Sequence, residues 1–511
     1  MIAKVFTSSV LGVEALPVEV EVDIVFGLPA FSTVGLAEGA VRESKDRVRA
    51  AIKNSGYEFP NKKITVNLAP ADIKKGGTGL DLPIALGILA AEEMITAEQL
   101  QNFAVVGELA LDGLVRPVPG ILPMVLAARK SGLSGILVPL ENGEEAAVVK
   151  GIKIIAIRYL HQAVEFLTGV QPLEPTRIDL DSLLANHRFH EVDFADVKGQ
   201  EHVKRAMEVA AAGDHNILMT GPPGSGKTML ARRLPTILPD LSFEEALETT
   251  KIYSVCGLLP EKCGLMAQRP FRAPHHTISD AGLIGGGNIP RPGEVSLAHN
   301  GVLFLDEMPE FKKNVLEVLR QPLEDGRVTI ARASSTLTFP ARFVLVAALN
   351  PCPCGHLGDS SHHCACTAVQ VKRYEEKLSG PLLDRIDIHL EVPAVPFQQI
   401  ASSTEGENSH TIKERVTRAR NIQKQRFKGR KGIYSNSQMT SRDLKKFCAL
   451  DAPSLGLLER GMAQLGLSAR AYHRILKIAR TIADLAGSNG IGHEHIAEAI
   501  QYRRLDRGRA L

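Results

Sequence analysis

Eight consecutive residues, Gly221-Pro222-Pro223-Gly224-Ser225-Gly226-Lys227-Thr228, fill every position of the pattern G-x-x-x-x-G-K-[ST]. The apolar run Asn216-Ile217-Leu218-Met219 precedes them and the helix-like Met229-Leu230-Ala231-Arg232-Arg233-Leu234 follows. That strand–loop–helix setting is what the pattern needs in order to hold phosphate. Glycines let the backbone fold round the anion with its N–H groups inward, and the helix N-terminus adds its dipole. In such a loop Lys227 reaches the β- and γ-phosphates of ATP, and Thr228 holds Mg²⁺ through its hydroxyl. A second apolar run, Gly301-Val302-Leu303-Phe304-Leu305, ends in Asp306-Glu307. Carboxylates at the C-terminal end of a parallel strand sit where ligands bind. Asp306 is expected to hold Mg²⁺ through water, and Glu307 to activate the water that attacks the γ-phosphate. A third run, Phe343-Val344-Leu345-Val346-Ala347-Ala348, ends in Leu349-Asn350. An amide there can orient the attacking water. Asn before Pro is also a common turn starter, so the weight of Asn350 comes from its order after the other two motifs.

Cys352-Pro353-Cys354 and Cys364-Ala365-Cys366 flank the stretch 355–363. Four thiolates so spaced can meet at one tetrahedral Zn²⁺, with a tighter spacing than the usual CxxC knuckle. His356, His362 and His363 are substitute ligands, and free thiols in a Gly/His loop are the alternative. Two stretches are strongly basic. Lys413, Arg415, Arg418, Arg420, Lys424, Arg426, Lys428, Arg430 and Lys431 face one acid, Glu414, while Ile412, Val416, Ala419 and Ile422 keep a helical apolar stripe. Nearer the start, Arg42, Lys45, Arg47, Arg49 and Lys53 share one helix-like stretch, with Lys62, Lys63, Lys74 and Lys75 after it. Either can meet nucleic-acid phosphates or be an ordinary solvated face. No aromatic interleaving supports base stacking, since Phe427 and Tyr434 stand nearly alone.

The elements that must carry these residues divide the 511-residue chain into three parts and a linker. Residues 1–170 mix strands and helices. Val18, Val20 and Val22 alternate with Glu19, Glu21 and Asp23, which predicts a half-buried strand over Val18–Phe26. Ile64–Leu68 reads as a second strand, and Gly39–Ile52 and Asp81–Ala91 as helices. A polar linker, 171–193, carries Pro172 and Pro175. Residues 194–395 alternate strand and helix around the phosphate motifs, and 396–511 read as mostly helical. Composition is ordinary for a globular protein, with 44% hydrophobic and 23% charged residues. The net charge of +3 leaves attraction to nucleic acid to local patches. Met1-Ile2-Ala3-Lys4-Val5-Phe6 is no signal-peptide start. The apolar stretch Leu82–Ala91 contains Pro83 and is too short to span a bilayer. The seven cysteines do not form a secreted disulfide pattern. The expected compartment is the cytoplasm, with no membrane partner.

The order of phosphate loop, acidic strand end and polar strand end resembles the AAA+ ATPases, with Asn350 at the sensor 1 position. Three longer stretches are similar to the magnesium-chelatase-like ComM/YifB family: Phe271-Arg272-Ala273-Pro274-His275-His276-Thr277-Ile278-Ser279, Gly293-Glu294-Val295-Ser296-Leu297-Ala298-His299-Asn300, and Pro381-Leu382-Leu383-Asp384-Arg385-Ile386-Asp387. The resemblance covers nearly the whole chain. It implies an α/β fold class: an N-terminal Lon-like (S5 domain 2-like) α+β domain, an AAA+ P-loop α/β domain and a C-terminal helical lid. It implies that Arg385 is an arginine finger pointing into a neighbouring subunit's site, where the bland reading is an ion pair with Asp384 or Asp387. Ser468-Ala469-Arg470-Ala471-Tyr472-His473-Arg474 is similar to the sensor 2 segment, with Arg470 or, one turn on, Arg474 contacting the γ-phosphate. Lys75-Gly76-Gly77-Thr78-Gly79 occupies the Lon serine loop, with Thr78 nearest the nucleophile. Leu122, in Gly120–Ala128, falls where the dyad lysine belongs. A hydroxyl without a base is a poor nucleophile, so the domain is expected to be non-proteolytic. The activity implied is a hexameric ATP-hydrolysing helicase or branch-migration motor on branched or single-stranded DNA, in recombination or natural transformation. The other readings are a chelatase-type ATPase that remodels a protein partner and, against the missing lysine, an ATP-dependent protease.

Overall fold

The alternation of valines with acids does fold into a strand, Glu14–Val25, with Val18, Val20 and Val22 essentially inaccessible to solvent. It forms an antiparallel hairpin with Ile2–Leu11, with Val5 opposite Val20, and pairs antiparallel on its other side with Lys63–Ala69. The computed structural model describes residues 2–36, 39–72, 75–180, 191–260, 263–287, 290–332, 335–358, 362–400, 406–430 and 432–503. Lys74 and Lys431 lie outside these residues, as does the side chain of Arg42.

Two units emerge from the packing. The first comprises Met1–Arg188 together with Ser242–Ala267. Its seven-stranded sheet runs Ala30–Val34, Lys63–Ala69, Glu14–Val25, Ile2–Leu11, Phe103–Val105, Gly135–Pro139 and Lys153–Ile157 in spatial order. Asp81–Ala91 forms a helix with the predicted bounds, and every one of its residues is buried. A helix apolar all round belongs inside a core. Its one acid, Asp81, accepts from Arg47 Nε at 2.7 Å and Nη2 at 3.0 Å and from the Leu109 amide at 3.3 Å. The helix Gly39–Asn54 extends two residues past the predicted end.

Ser242–Ala267 follows the phosphate-loop helix in the chain, inside the stretch 194–395, yet packs with the first unit. Its helix, Phe243–Cys256, starts at a capping box in which Ser242 and Glu245 satisfy each other's backbone amides. Within the unit, Ser254 donates to Glu145, which also accepts from the Leu122 amide at 2.9 Å and from Asn142 Nδ2 at 3.2 Å. Burial pushes the Glu145 carboxyl above the usual range, against those three donors.

The second unit comprises Phe189–Leu241 and Gln268–Leu511. Five parallel strands lie in the order Phe271–Arg272, Gly301–Leu305, Phe343–Leu349, Ile217–Thr220, Ile388–Glu391. The helices Glu201–Gly213 and Lys227–Ile237 cover the sheet. The C-terminal helices Ser409–Arg426, Ala452–Leu465, Ala469–Leu485 and His493–Gln501 share one apolar core with the strands. The helical region expected after residue 396 is thus integral to this unit.

Candidate nucleotide-binding site

The three apolar runs that carry the phosphate motifs are adjacent strands, and all three motifs leave the same C-terminal edge of the sheet. Gly226 stands at the N-cap of the helix Lys227–Ile237 with φ of +90°, a conformation that glycine adopts without a Cβ penalty. A Cβ there, or on Gly224, would meet nothing within 4 Å, so it is the positive φ rather than crowding that asks for glycine. Lys227 Nζ donates to the carbonyls of Gly221 at 2.7 Å and Pro222 at 2.8 Å, and to Asn350 Oδ1 at 3.2 Å. Burial lowers its pKa, while Asp306 and Glu307 oppose that shift. Thr228 Oγ1 donates to Asp306 Oδ2 at 2.7 Å, which pairs the two groups expected to hold Mg²⁺. A hydroxyl, a carboxylate and a lysine over an amide-lined turn are the donor set that Mg²⁺·ATP requires, and they meet here.

Glu307 is exposed and has φ of +49°, a left-handed backbone that costs a non-glycine residue about 1–2 kcal/mol. Its carboxylate lies 3.8 Å from His276 Nδ1. The sequence reading used His276 only as part of a family stretch. Its closeness to Glu307 makes it a second polar group beside that carboxylate, and no spacing rule in the chain signals it.

Arg385 is elsewhere. Ile217 is paired with Ile388 and Thr220 with Glu391, in parallel. The phosphate loop leaves one end of this strand pair and Arg385 enters at the other. Four residues at about 3.3 Å each put about 13 Å of sheet between the two ends. Arg385 bonds Glu324 and the Pro381 carbonyl, rather than Asp384 or Asp387. Arg470 lies beside it, with Nη1 3.4 Å from Asp384 Oδ2, and Arg474 is paired with Asp387. Arg385, Arg470, His473, Arg474 and Lys477 line one cavity of about 200 Å³ with Glu324 and Asp384. Cations outnumber acids there. Burial, with Arg503 and Arg385 nearby, lowers Arg474 to about 10, and burial with Arg474 nearby lowers Lys477 to about 8. Asp387 is itself anchored by the buried His215, with Nδ1 at 3.2 Å, which burial keeps neutral at a pKa of about 3. No motif or spacing in the chain signals that histidine's place.

The C-terminal basic stretch is mostly neutralised within the fold, whereas Lys45, Arg49, Lys53 and Lys63 of the N-terminal one are exposed. On the helix Ser409–Arg426 and just after it, Arg415 pairs with Glu208 and Glu407, Lys413 with Asp240, Arg420 with Asp214, Arg426 with Asp484 and Arg430 with Asp443. Arg418, Lys424 and Lys428 remain exposed. In the first unit Arg47 is held by Asp81, Lys62 by Glu92, and Lys75 is buried with its ammonium on the Gly35 and Pro70 carbonyls. The Thr78 hydroxyl donates to Glu108. Leu122, at the expected lysine position, is fully buried among apolar neighbours.

Cys352, Cys354, Cys364 and Cys366 do converge, their sulfurs all within 4.8 Å of one another. The substitute ligands His356, His362 and His363 are not members of that group.

A glycine-rich phosphate loop, an acidic strand end and a polar strand end on a parallel sheet define a P-loop nucleotide site of the AAA+ kind. Three family models match in succession: subunit ChlI of Mg-chelatase over residues 20–142, magnesium chelatase subunit ChlI over 193–400, and its C-terminal part over 406–503. The chain is 48% identical over 506 residues to the uncharacterized protein YifB of Escherichia coli, covering 98% of this chain and 97% of the relative. It is 46% identical over 510 residues to the competence protein ComM of Haemophilus influenzae, covering 99% and 98%. Its N-terminal region is similar to Lon protease 2 of Bacillus subtilis, 28% identical over 151 residues, covering 29% of this chain and 26% of the protease. The chain belongs to the ComM/YifB family of magnesium-chelatase-like AAA+ ATPases.

Proposed function

We propose that this protein is a ring-forming, ATP-hydrolysing motor that moves branched or single-stranded DNA. The observation that carries the reading is the division of one catalytic apparatus between two edges of one sheet. Lys227, Thr228, Asp306, Glu307 and Asn350 gather at the C-terminal edge, and the cationic cluster of Arg385 and Arg470 gathers at the other. A chain with both halves on opposite edges completes a site by stacking head to tail on a copy of itself, and such stacking closes into a ring. Glu307 takes the proton of the attacking water, Asn350 orients that water, and Lys227 neutralises the phosphates, with Mg²⁺ supplying charge neutralisation at Thr228 and Asp306. Arg385 is the finger for the neighbouring site. Arg470, with a side chain 66% exposed, is the group that reaches the neighbour's γ-phosphate, and Arg474, committed to Asp387, fixes the cluster. Six subunits is the ring size we adopt from the family resemblance. The four cysteines are a structural zinc site, and the Lon-like region, with Leu122 where the dyad lysine belongs, does not cleave peptides.

DNA as the track is supported by full-length similarity to a relative named for competence. The basic helix adds less than its composition promised, because among the described residues Arg418, Lys424 and Lys428 are the exposed cations on or just beyond it that no carboxylate pairs. The cytoplasm, where ATP and chromosomal DNA meet, is the compartment this reading implies. Among the described residues no helix is long and apolar enough to cross a membrane. Remodelling of a protein partner is favoured by the three successive chelatase matches. The deciding experiment measures ATPase rate with and without a four-way junction at low salt, and follows the junction by native electrophoresis with ATP. Stimulation and branch movement support the DNA motor. A junction that neither binds nor stimulates transfers the reading to protein remodelling.

A further inference from the structure

The cysteine cluster and the nucleotide site touch. Cys352 stands two residues after Asn350 and is fully buried. The turn after Cys354 runs through Gly355, with φ of +84°. A Cβ built on Gly355 would come within 2.5 Å of Pro223 Cδ and 2.7 Å of Pro223 Cγ, with Asn350 Cγ at 3.9 Å. Pro223 is part of the phosphate loop, and Asn350 accepts from Lys227 at 3.2 Å. One tight turn therefore backs both the loop that cradles phosphate and the amide that orients water.

The sulfurs are spaced for a metal. Sγ of Cys352 lies 3.3 Å from that of Cys354 and 3.7 Å from that of Cys364, and Cys354 lies 3.6 Å from Cys364. Bonds of about 2.3 Å to a tetrahedral zinc put sulfurs about 3.8 Å apart. A disulfide needs about 2.05 Å. All-thiolate tetrahedral ligation selects Zn²⁺, with iron as its competitor. Two CxC pairs ten residues apart have no apolar reason to converge at a partly exposed place.

We propose that Cys352, Cys354, Cys364 and Cys366 bind zinc as a buttress of the ATP site, so that zinc occupancy sets how tightly the phosphate loop holds nucleotide. The inference rests on the ATP-site reading above. The metal ties the two cysteine pairs to each other and so closes the loop between them, a constraint the chain otherwise lacks. With the loop closed, Gly355 presses on Pro223 and Asn350 stays over Lys227. With the loop open, both contacts are lost while the sheet beneath is untouched.

The test uses full-length protein, purified in reducing buffer without chelator, with metal content by mass spectrometry and affinity by a fluorescent ATP analogue. About one zinc per chain is expected. Paired substitution of Cys364→Ser and Cys366→Ser removes zinc and weakens nucleotide binding about 10-fold or more. Gly355→Ala keeps zinc and weakens binding, because the added methyl displaces Pro223. Wild-type protein stripped with a chelator loses affinity and regains it with Zn²⁺ alone, which keeps the test valid where the cysteine variant does not fold. Absence of zinc from the wild type overturns the metal site. Full nucleotide affinity in zinc-free protein overturns the buttress. Lys227→Ala binding nucleotide as well as wild type overturns the ATP-site reading itself, independently of the metal.

Discussion

Replacing Arg385 by alanine should leave a folded, ATP-binding ring that hydrolyses about 10³–10⁵ times more slowly, the range for an arginine that neutralises a transferring phosphoryl group. That is about 4–7 kcal/mol of transition-state stabilisation. The cost to folding is small by comparison. The Arg385 carboxylate partner, Glu324, is 56% exposed and hydrates once released, and such half-exposed pairs are worth about 1 kcal/mol or less. Register decides which site is affected. Arg385 enters the strand Ile388–Glu391 at the end opposite the phosphate loop. With about 13 Å of sheet intervening, it cannot serve its own Lys227. Lys227→Ala subunits lose the phosphate contact but keep the arginine. In a one-to-one mixture, an interface works when an Arg385→Ala subunit offers its phosphate loop to a Lys227→Ala subunit that offers its arginine. Random assembly makes that arrangement at about one interface in four, so about a quarter of wild-type turnover per site should return. The assay is phosphate release from the mixture after subunit exchange, with exchange checked by a fluorescent label. Mixed rings as inactive as either parent refute the argument that Arg385 works across an interface.

Glu307→Gln keeps shape and loses the base, so ATP should stay bound while kcat falls at least about 100-fold; unchanged turnover sinks the assignment. Charge reversal of the exposed Arg418 and Lys424 should flatten the salt dependence of DNA binding by about one unit of slope per lost phosphate contact. Arg420→Glu, which breaks the pair with Asp214, should instead lower the unfolding free energy by about 2–4 kcal/mol; a selective loss of DNA binding with unchanged melting would contradict that division. Glu145 has its pKa raised by burial, so the native state holds its proton to higher pH than the unfolded chain, and its contribution to stability declines as pH rises above the usual carboxyl value near 4.5 and through the raised one. Glu145→Gln should therefore gain on wild type over that window in denaturant titrations, and a difference constant with pH would show that the carboxyl does not titrate there.

The nucleotide site was legible because its motifs are local. Each is a strand end plus a few following residues, and the parallel order of the strands alone brings Thr228 to Asp306 and Lys227 to Asn350. The strand Glu14–Val25 and the buried helix Asp81–Ala91 were legible for the same reason, since period and composition are properties of one segment. Pairings between distant segments were not. The alignment of Ser242–Ala267 with the first unit depends on Ser254 meeting Glu145, more than a hundred residues away, and a capping box at Ser242 says only that a helix begins. The Glu307–His276 approach and the His215–Asp387 pair are likewise products of sheet register.

Charge is the case in which sequence reading misleads in a definite direction. Counting Lys and Arg along one helix takes the local acids as the only counterions. On Ser409–Arg426 the counterions come from elsewhere: Glu208 and Asp214 at the helix Glu201–Gly213, Asp240 beyond the phosphate-loop helix, and Asp484 on the last turn of Ala469–Leu485. The helix is basic because its neighbours are acidic, and its cations fasten it to the ATPase core. The cations of the opposite edge differ in kind. Arg474, paired with Asp387, and Lys477 are half-buried in the cavity they share with Arg385, where cations outnumber acids, and each is pushed below its ordinary pKa. Unbalanced buried positive charge is stabilised by an arriving anion. That imbalance, rather than the number of basic residues, sets the cavity of Arg385 and Arg470 apart from a helix held by ion pairs.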